Sequence, residues 1–388
     1  MRIEKTEFVA RIHTLQDYMK KYQIDAFAVY GDEYRKENLR YVSNFWPIFE
    51  RGMCFIPKQG EPVLAGAPEG EVYAREMSVW DDIRNVKDFA CVTVPDQIVY
   101  PMASFSSFNE IITEVLKGGK RLGLAGYWDI PTPIMERIKG AVESLEIVQM
   151  DNLLEEMRIV KSPAEIECLK ECGRIAGLAY QEIVKQAVPG NTERAAASAG
   201  EWIARKEGAE AINFHVFGSG KRTHTIIGRA TEKIIEDGDM IMSALAVQYE
   251  GYVTTVEYPF VAGTMSEEQK TILSVLAEAA NVQQQYLRAG AVTGEMVRAV
   301  QSVYRKRGFA EFDIYPPMHG IGLAEAESPY PDASSEYLFK TGMCVNSDIS
   351  LFGHSGGSNR IEEGFVIQDD GCKSLTPVIR ELLENLSL

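Results

Sequence analysis

The chain has 388 residues, 45% of them hydrophobic, and a formal net charge of −16. That length accommodates two domains with sizeable cores, and the acidic balance argues against nucleic acid as a partner, which calls for clustered Lys and Arg. No apolar run approaches the roughly 18 residues of a membrane helix, and Met1 to Lys5 is too polar for a secretory signal, so a cytoplasmic protein with no membrane partner is expected.

The first 150 residues alternate helical and strand-like stretches. Phe8 to Tyr22 carries apolar residues at helical spacing, and Ala26 to Tyr30 is a short apolar run of strand character. Met53 to Ile56 and Pro62 to Ala65 flank Lys58-Gln59-Gly60-Glu61, a hairpin turn. Phe108 to Leu116 reads as a helix and Arg121 to Ala125 as a strand, the pattern of an α/β domain. A connecting helix spans Asp151 to Lys161. Ser162-Pro163-Ala164-Glu165 then has the form of a capping box with proline at the first helical position, and predicts a long amphipathic helix to Gln186, stopped by Pro189-Gly190-Asn191. A second helix follows over Thr192 to Gly208.

From His215 the character shifts to strands and glycine-rich turns. Met240 to Gln248, Tyr252 to Ala262, Met343 to Phe352 and Ile361 to Asp369 are strand candidates, with helices at Ser266 to Leu287 and Thr293 to Arg307; strands with helices segregated between them indicate α+β. Gly218-Ser219-Gly220-Lys221 looks like the end of a phosphate loop, but His215 stands where the first glycine of that motif belongs. The six cysteines, Cys54, Cys91, Cys168, Cys172, Cys344 and Cys372, form no CxxC pair, which excludes a zinc ribbon.

Several segments of the second half resemble, in order and spacing, the creatinase, prolidase and methionine aminopeptidase (pita-bread) family. They are Gly238-Asp239-Met240-Ile241, Gly251-Tyr252, Met318-His319-Gly320-Ile321-Gly322-Leu323, Gly342-Met343 and Arg360-Ile361-Glu362. Arg158-Ile159-Val160-Lys161-Ser162-Pro163 resembles the opening of that family's catalytic domain, and Asn38 to Phe45 its N-terminal motif. The resemblance implies an N-terminal creatinase-like α/β domain over 1–155, a pita-bread catalytic domain over 156–388, and a homodimer.

Metal-using members of the family bind two ions through two aspartates, one histidine and two glutamates. Carried over by position, these become Ser243, Thr255, His319, Asp348 and Glu362. Neutral hydroxyls in place of both aspartates remove the bridging carboxylate that two hard divalent ions need. At most a single ion on His319, Asp348 and Glu362 is left, and the site is read as metal-free and without cofactor. The metal-free creatinase branch (creatinase, ectoine hydrolase) is the nearer pattern. Gly251-Tyr252-Val253-Thr254-Thr255-Val256-Glu257 resembles its GYxTxxE, which makes Glu257 a holder of substrate guanidinium beside Asp348 and Glu362. His224 stands at the position of its catalytic histidine, and Phe49-Glu50-Arg51 resembles the Phe-Gly-Arg whose arginine binds substrate carboxylate across the dimer.

The expected activity is therefore hydrolysis of a C–N bond in a small zwitterionic guanidino or amidine acid. His224 and Glu257 would be the catalytic groups, with His319, Asp348, Glu362, Arg51 and Phe49 binding substrate. Clustered carboxylates favour a planar cationic ligand, and a histidine moves the proton. No arginine follows the HGIGL-like segment where creatinase has one, which puts creatine itself in doubt. The alternatives are a metal-dependent Xaa-Pro peptidase and a catalytically inactive peptide-binding relative. His215 reads as a structural histidine.

Overall fold

A computed structural model describes residues 3–90 and 103–384; Cys91 and the charged start at Met1 lie outside them. The chain folds as two units, Arg2–Met157 and Arg158–Leu388. The N-terminal unit is built on a six-stranded sheet of β1 (Ala26–Asp32), β2 (Arg51–Pro57), β3 (Val63–Gly66), β4 (Ile83–Asn85), β5 (Arg121–Ala125) and β6 (Glu146–Gln149), in the order β4-β3-β2-β1-β5-β6. The hairpin expected around Lys58–Gly60 joins β2 to β3. β1 is antiparallel to β2 and parallel to β5, and as a central strand it reads as a continuous apolar run. The helix Phe108–Leu116 starts at a Ser107–Glu110 capping box and lays Phe108, Ile111, Ile112 and Val115 in the core.

In the C-terminal unit the box at Ser162 forms as read: its hydroxyl accepts from Glu165 N, and the Glu165 carboxylate accepts from Ser162 N. The helix Pro163–Gln186 follows, then Glu193–Lys206 capped by Thr192. At Gly173 the long helix runs so close to its neighbour that a Cβ would lie 1.8 Å from the Leu375 carbonyl oxygen.

These helices cover an eight-stranded sheet made of β7 (Ala211–Ser219), β8 (Asp239–Tyr249), β9 (Tyr252–Glu257), β10 (Phe260–Ala262), β11 (Met318–Gly320), β12 (Cys344–Leu351), β13 (Asn359–Ile367) and β14 (Cys372–Ser374). Its path is β10-β8-β9-β13-β12-β11, with β7 on β8 and β14 on β13. The strand expected over Tyr252 to Ala262 is interrupted at Tyr258-Pro259, because proline has no N–H for the ladder; β9 and β10 keep one register against β8 on either side of the gap.

The turn between β8 and β9 decides what the sheet can do. Glu250 and Gly251 both have positive φ, 48° and 85°, the signature of a two-residue hairpin turn. It sets Tyr249 opposite Tyr252, hence Ala246 opposite Thr255 and Ala244 opposite Glu257. Opposed residues share a face and neighbours alternate. Leu245, Val247, Val256, Ile349, Ile361 and Phe365 therefore meet the helices in one core, and the residues between them point to the other face. Among the described residues no helix is long and apolar enough to cross a membrane.

Candidate functional site

The face turned away from the helices is where the chemistry collects. Glu362 on β13 lies opposite both Glu257 on β9 and Asp348 on β12. Arg360 is two residues before Glu362 and so shares its face, and His319 on β11 lies opposite Asn346, two residues before Asp348. Three carboxylates, one imidazole and one guanidinium thus come from four adjacent strands.

Arg360 is only 4% exposed and sits among the acids. Its Nε is 2.8 Å from Glu257 Oε2, 3.4 Å from Asp348 Oδ1 and 3.5 Å from Glu362 Oε1. The Tyr315 ring lies 5.8 Å from its guanidinium carbon. One cation does not balance three carboxylates. Burial pushes Glu257 up to about 7, with Arg360 pulling the other way. Burial likewise raises Asp348 and lifts Glu362 well above the ordinary glutamate range, again against Arg360. Burial works against the charged guanidinium, but Glu362, Glu257 and Asp348 together hold its pKa well above that of a free arginine. Among the described residues Glu257 Oε1 and Glu362 Oε2 are buried without a hydrogen-bond partner.

The imidazole of His319 is oriented by the backbone. A carbonyl can only accept, so Nδ1 donates to Gly320 O at 3.0 Å, which in the neutral ring leaves the lone pair on Nε2, 3.7 Å from Glu325 Oε1. Glu325 in turn accepts from the Thr255 hydroxyl at 2.8 Å. Ligand atoms of His319, Glu325 and Glu362 all lie within 4.8 Å of one another. They meet in the wall of a cavity of about 810 Å³, which Asp348, Arg360, Arg194, Glu201 and Arg229 also line.

Two metal ions do not fit this donor set. On the active face β8 presents Ala244 and Ala246, and β9 presents Thr255, already committed to Glu325, and Glu257, already paired with Arg360. One ion does fit: an imidazole nitrogen and two carboxylates, one with an unpartnered oxygen, are a workable set for a single divalent cation.

The sequence reading aligned Ser243 with the first aspartate; strand alternation places it on the helix side instead. Its hydroxyl is 3.1 Å from His215 Nε2, while His215 Nδ1 donates to Glu201 at 2.9 Å, a bond that lowers the Glu201 pKa. Carboxylate, imidazole and hydroxyl in that order resemble a nucleophile relay. Ser243 is 0% exposed, however, so it serves to hold His215. His224, on the 3₁₀ turn Gly220–Thr225, bonds through Nδ1 to Ser358 Oγ at 2.8 Å and is not among the cavity-lining residues. Phe49 and Arg51 belong to the N-terminal unit; Phe49 is exposed, and Arg51 Nη1 donates to Ala90 O at 3.4 Å.

Beside the site lies a second buried ionic cluster. Glu327 is 2.8 Å from Lys161 Nζ and 3.3 Å from Arg158 Nε. Burial tends to raise it, but Lys161 and Arg158 more than offset that and hold it below the ordinary range. Reading the sequence missed Glu325. The only signal was an acid next to Ala326, the position where the family pattern has its further histidine.

Two family models match the chain: metallopeptidase family M24 over residues 167–369 and the Creatinase/Prolidase N-terminal domain over 11–160. The chain is 28% identical over 284 residues to an Xaa-Pro dipeptidase of Pyrococcus furiosus, covering 73% of this chain and 81% of that protein. It is 25% identical over 374 residues to an Xaa-Pro dipeptidase of Pyrococcus horikoshii, covering 96% and 98%. In structure it resembles the prolidase from Pyrococcus horikoshii OT3, with a TM-score of 0.81 at 24% identity over 95% of this chain and 98% of that one. The X-Pro aminopeptidase from Thermotoga maritima gives a TM-score of 0.81 at 24% identity over 94% and 97%.

These findings bear out the two-domain creatinase-type and pita-bread fold and correct the activity. The expected metal-independent, creatinase-like amidinohydrolase, and with it the small guanidino or amidine acid as partner, is overturned by relatives that are Xaa-Pro dipeptidases. The geometry gives the physical reason. Glu257, Asp348 and Glu362, read as the holders of a substrate guanidinium, already hold the guanidinium of Arg360.

Proposed function

We propose, for a chain that belongs to metallopeptidase family M24, that the cavity takes a short peptide of the Xaa-Pro dipeptide class and that the peptide bond is hydrolysed where His319, Glu325 and Glu362 meet. The observation that carries this reading is their convergence within 4.8 Å at the wall of a cavity of about 810 Å³. Sites for small ligands span roughly 300–1,000 Å³. The dipeptidase relatives support the substrate class.

A divalent cation held by His319, Glu325 and Glu362 would supply Lewis-acid polarisation of the scissile carbonyl. The rest falls to side chains of this chain. Gly320 O fixes the tautomer of His319, and Thr255 fixes Glu325. Asp348 lines the cavity beside them, and burial lets it keep a proton at a higher pH than an ordinary aspartate does. It is the group placed to take a proton from the attacking water and return it to the leaving nitrogen. Arg229, and Arg194 beside its partner Glu232, line the same cavity and would offer positive charge to the peptide carboxylate.

The test is proline release from a panel of Xaa-Pro dipeptides, by protein stripped with EDTA and then reloaded with Mn²⁺ or Zn²⁺. The expected result is chelator-sensitive release that is lost in Glu325→Gln and His319→Ala. Full activity in both variants, or neither proline release nor a thermal shift with any dipeptide, would overturn the reading. The homodimer stands as a proposal, read by light scattering on the purified protein.

A further inference from the structure

We infer that Arg360 is the resident counter-ion of the active face, a tethered cation that limits the face to at most one bound metal ion. Its Nε lies within 3.5 Å of a carboxylate oxygen from each of β9, β12 and β13. These are the three strands whose acids would otherwise be the anionic donors for ions. The guanidinium is buried, and Tyr315 lies over it. A second ion among Glu257, Asp348 and Glu362 would be placed against a fixed positive charge in a low-dielectric interior, where like charges repel strongly.

The neighbouring positions agree. On β8, Ala244 lies opposite Glu257 and Ala246 opposite Thr255, and their methyl groups bind no cation. The donors that remain, one ligand atom each of His319, Glu325 and Glu362, lie within 4.8 Å of one another and suffice for one ion. Glu362 joins the two halves: Oε1 faces Arg360 at 3.5 Å, while Oε2 has no hydrogen-bond partner among the described residues. The inference concerns how many ions the face holds, so it does not need the peptide substrate to be right.

The experiment counts ions on the full chain. Wild type, Arg360→Ala and Arg360→Lys are stripped with EDTA and equilibrated with excess Mn²⁺. Bound metal is then measured by elemental analysis after equilibrium dialysis, with circular dichroism and melting curves to establish folding. Wild type is expected to take no more than one Mn²⁺ per chain, and Arg360→Ala one more than wild type. Arg360→Lys, which keeps the charge, should match wild type. Methylguanidinium at millimolar concentration should raise the melting temperature of Arg360→Ala, leave that of wild type unmoved, and displace the additional Mn²⁺. Two ions on wild type would overturn the inference, as would a folded Arg360→Ala variant with the wild-type count. If Arg360→Ala does not fold, Arg360→Gln, which removes the charge and keeps a polar side chain, takes its place, and a folded Arg360→Gln with the wild-type count would likewise overturn the inference. A one-ion increment without any proline release would sink the peptidase reading and support this one.

Discussion

Two buried ionic clusters lie side by side in the C-terminal unit, and they are balanced in opposite directions. Around Glu327 one carboxylate serves two cations, Lys161 and Arg158, and its pKa is held low. Around Arg360 one cation serves three carboxylates, and Glu257, Asp348 and Glu362 are all pushed up. Burial is nearly the same in both, so desolvation does not separate them; stoichiometry does. A cluster with cations in excess keeps its carboxylate ionised and closed to further cations, and belongs to the scaffold. A cluster left short of positive charge still has affinity for cations and protons, as the proposed site requires.

The difference can be attacked from either side, and the cation-rich cluster should give the largest effect. Glu327→Gln removes the carboxylate shared by two buried cations, and breaking such a pair costs about 3–5 kcal/mol. Urea denaturation at pH 7 should therefore show a large fall in midpoint. Wild-type stability would dissolve the contrast.

The pH dependence should separate the clusters next, because the signs oppose. Glu327 has a folded pKa below its unfolded one, so its stabilisation is complete above the ordinary value of 4.5 and is lost as pH falls through the folded value. Glu257 rises from 4.5 to about 7, so between those values the folded chain binds its proton more tightly than the unfolded chain does. Stability contributed by that proton is present at pH 4.5 and declines as pH climbs through 7. Melting curves should show wild type losing stability from pH 5 to pH 8, and Glu257→Gln losing less of it, a difference on the order of 1–3 kcal/mol at about 1.4 kcal/mol per pKa unit. Parallel pH profiles for the two proteins would count against the mismatch.

Smaller effects bound the working region. Ser243→Ala removes one hydrogen bond to His215 on the helix side of the sheet and should cost about 1 kcal/mol, with the Xaa-Pro turnover number unchanged. A collapse of turnover with folding intact would extend the site to His215, which lines the same cavity. His224→Ala removes one hydrogen bond to the buried Ser358 hydroxyl, should cost about 1 kcal/mol at most, and should leave proline release within two-fold. A large loss there would return His224 to the reaction.

How much of this was legible in the sequence follows from the range of the forces involved. The capping box at Ser162, the long helix after it and the strand runs are set by neighbours in the chain, and they appear where they were read. Family motifs located His319, Asp348 and Glu362 on the active face. What failed to read through was set by pairing between strands. Whether Ser243 or Ala244 faces Glu257 depends on the register fixed by the turn at Glu250-Gly251, and one residue of displacement exchanges the two faces. The position of Arg360 among three acids is likewise invisible in one dimension, since Glu257 lies 103 residues away. Glu325 comes from the irregular segment after β11, where no periodicity indicates which side chain turns inward.

Carrying the counter-ion on the chain also frees the sheet from supply. A diffusible ion stabilises a fold only by mass action, in proportion to RT ln(1 + [L]/Kd), so its contribution rises and falls with the free concentration around it. A guanidinium built in between Asn359 and Ile361 has no dissociation rate and faces no competing chelator. Its dose is one per chain from the moment of synthesis, and the strands that meet at Glu257, Asp348 and Glu362 can assemble in a metal-starved medium as readily as in a rich one.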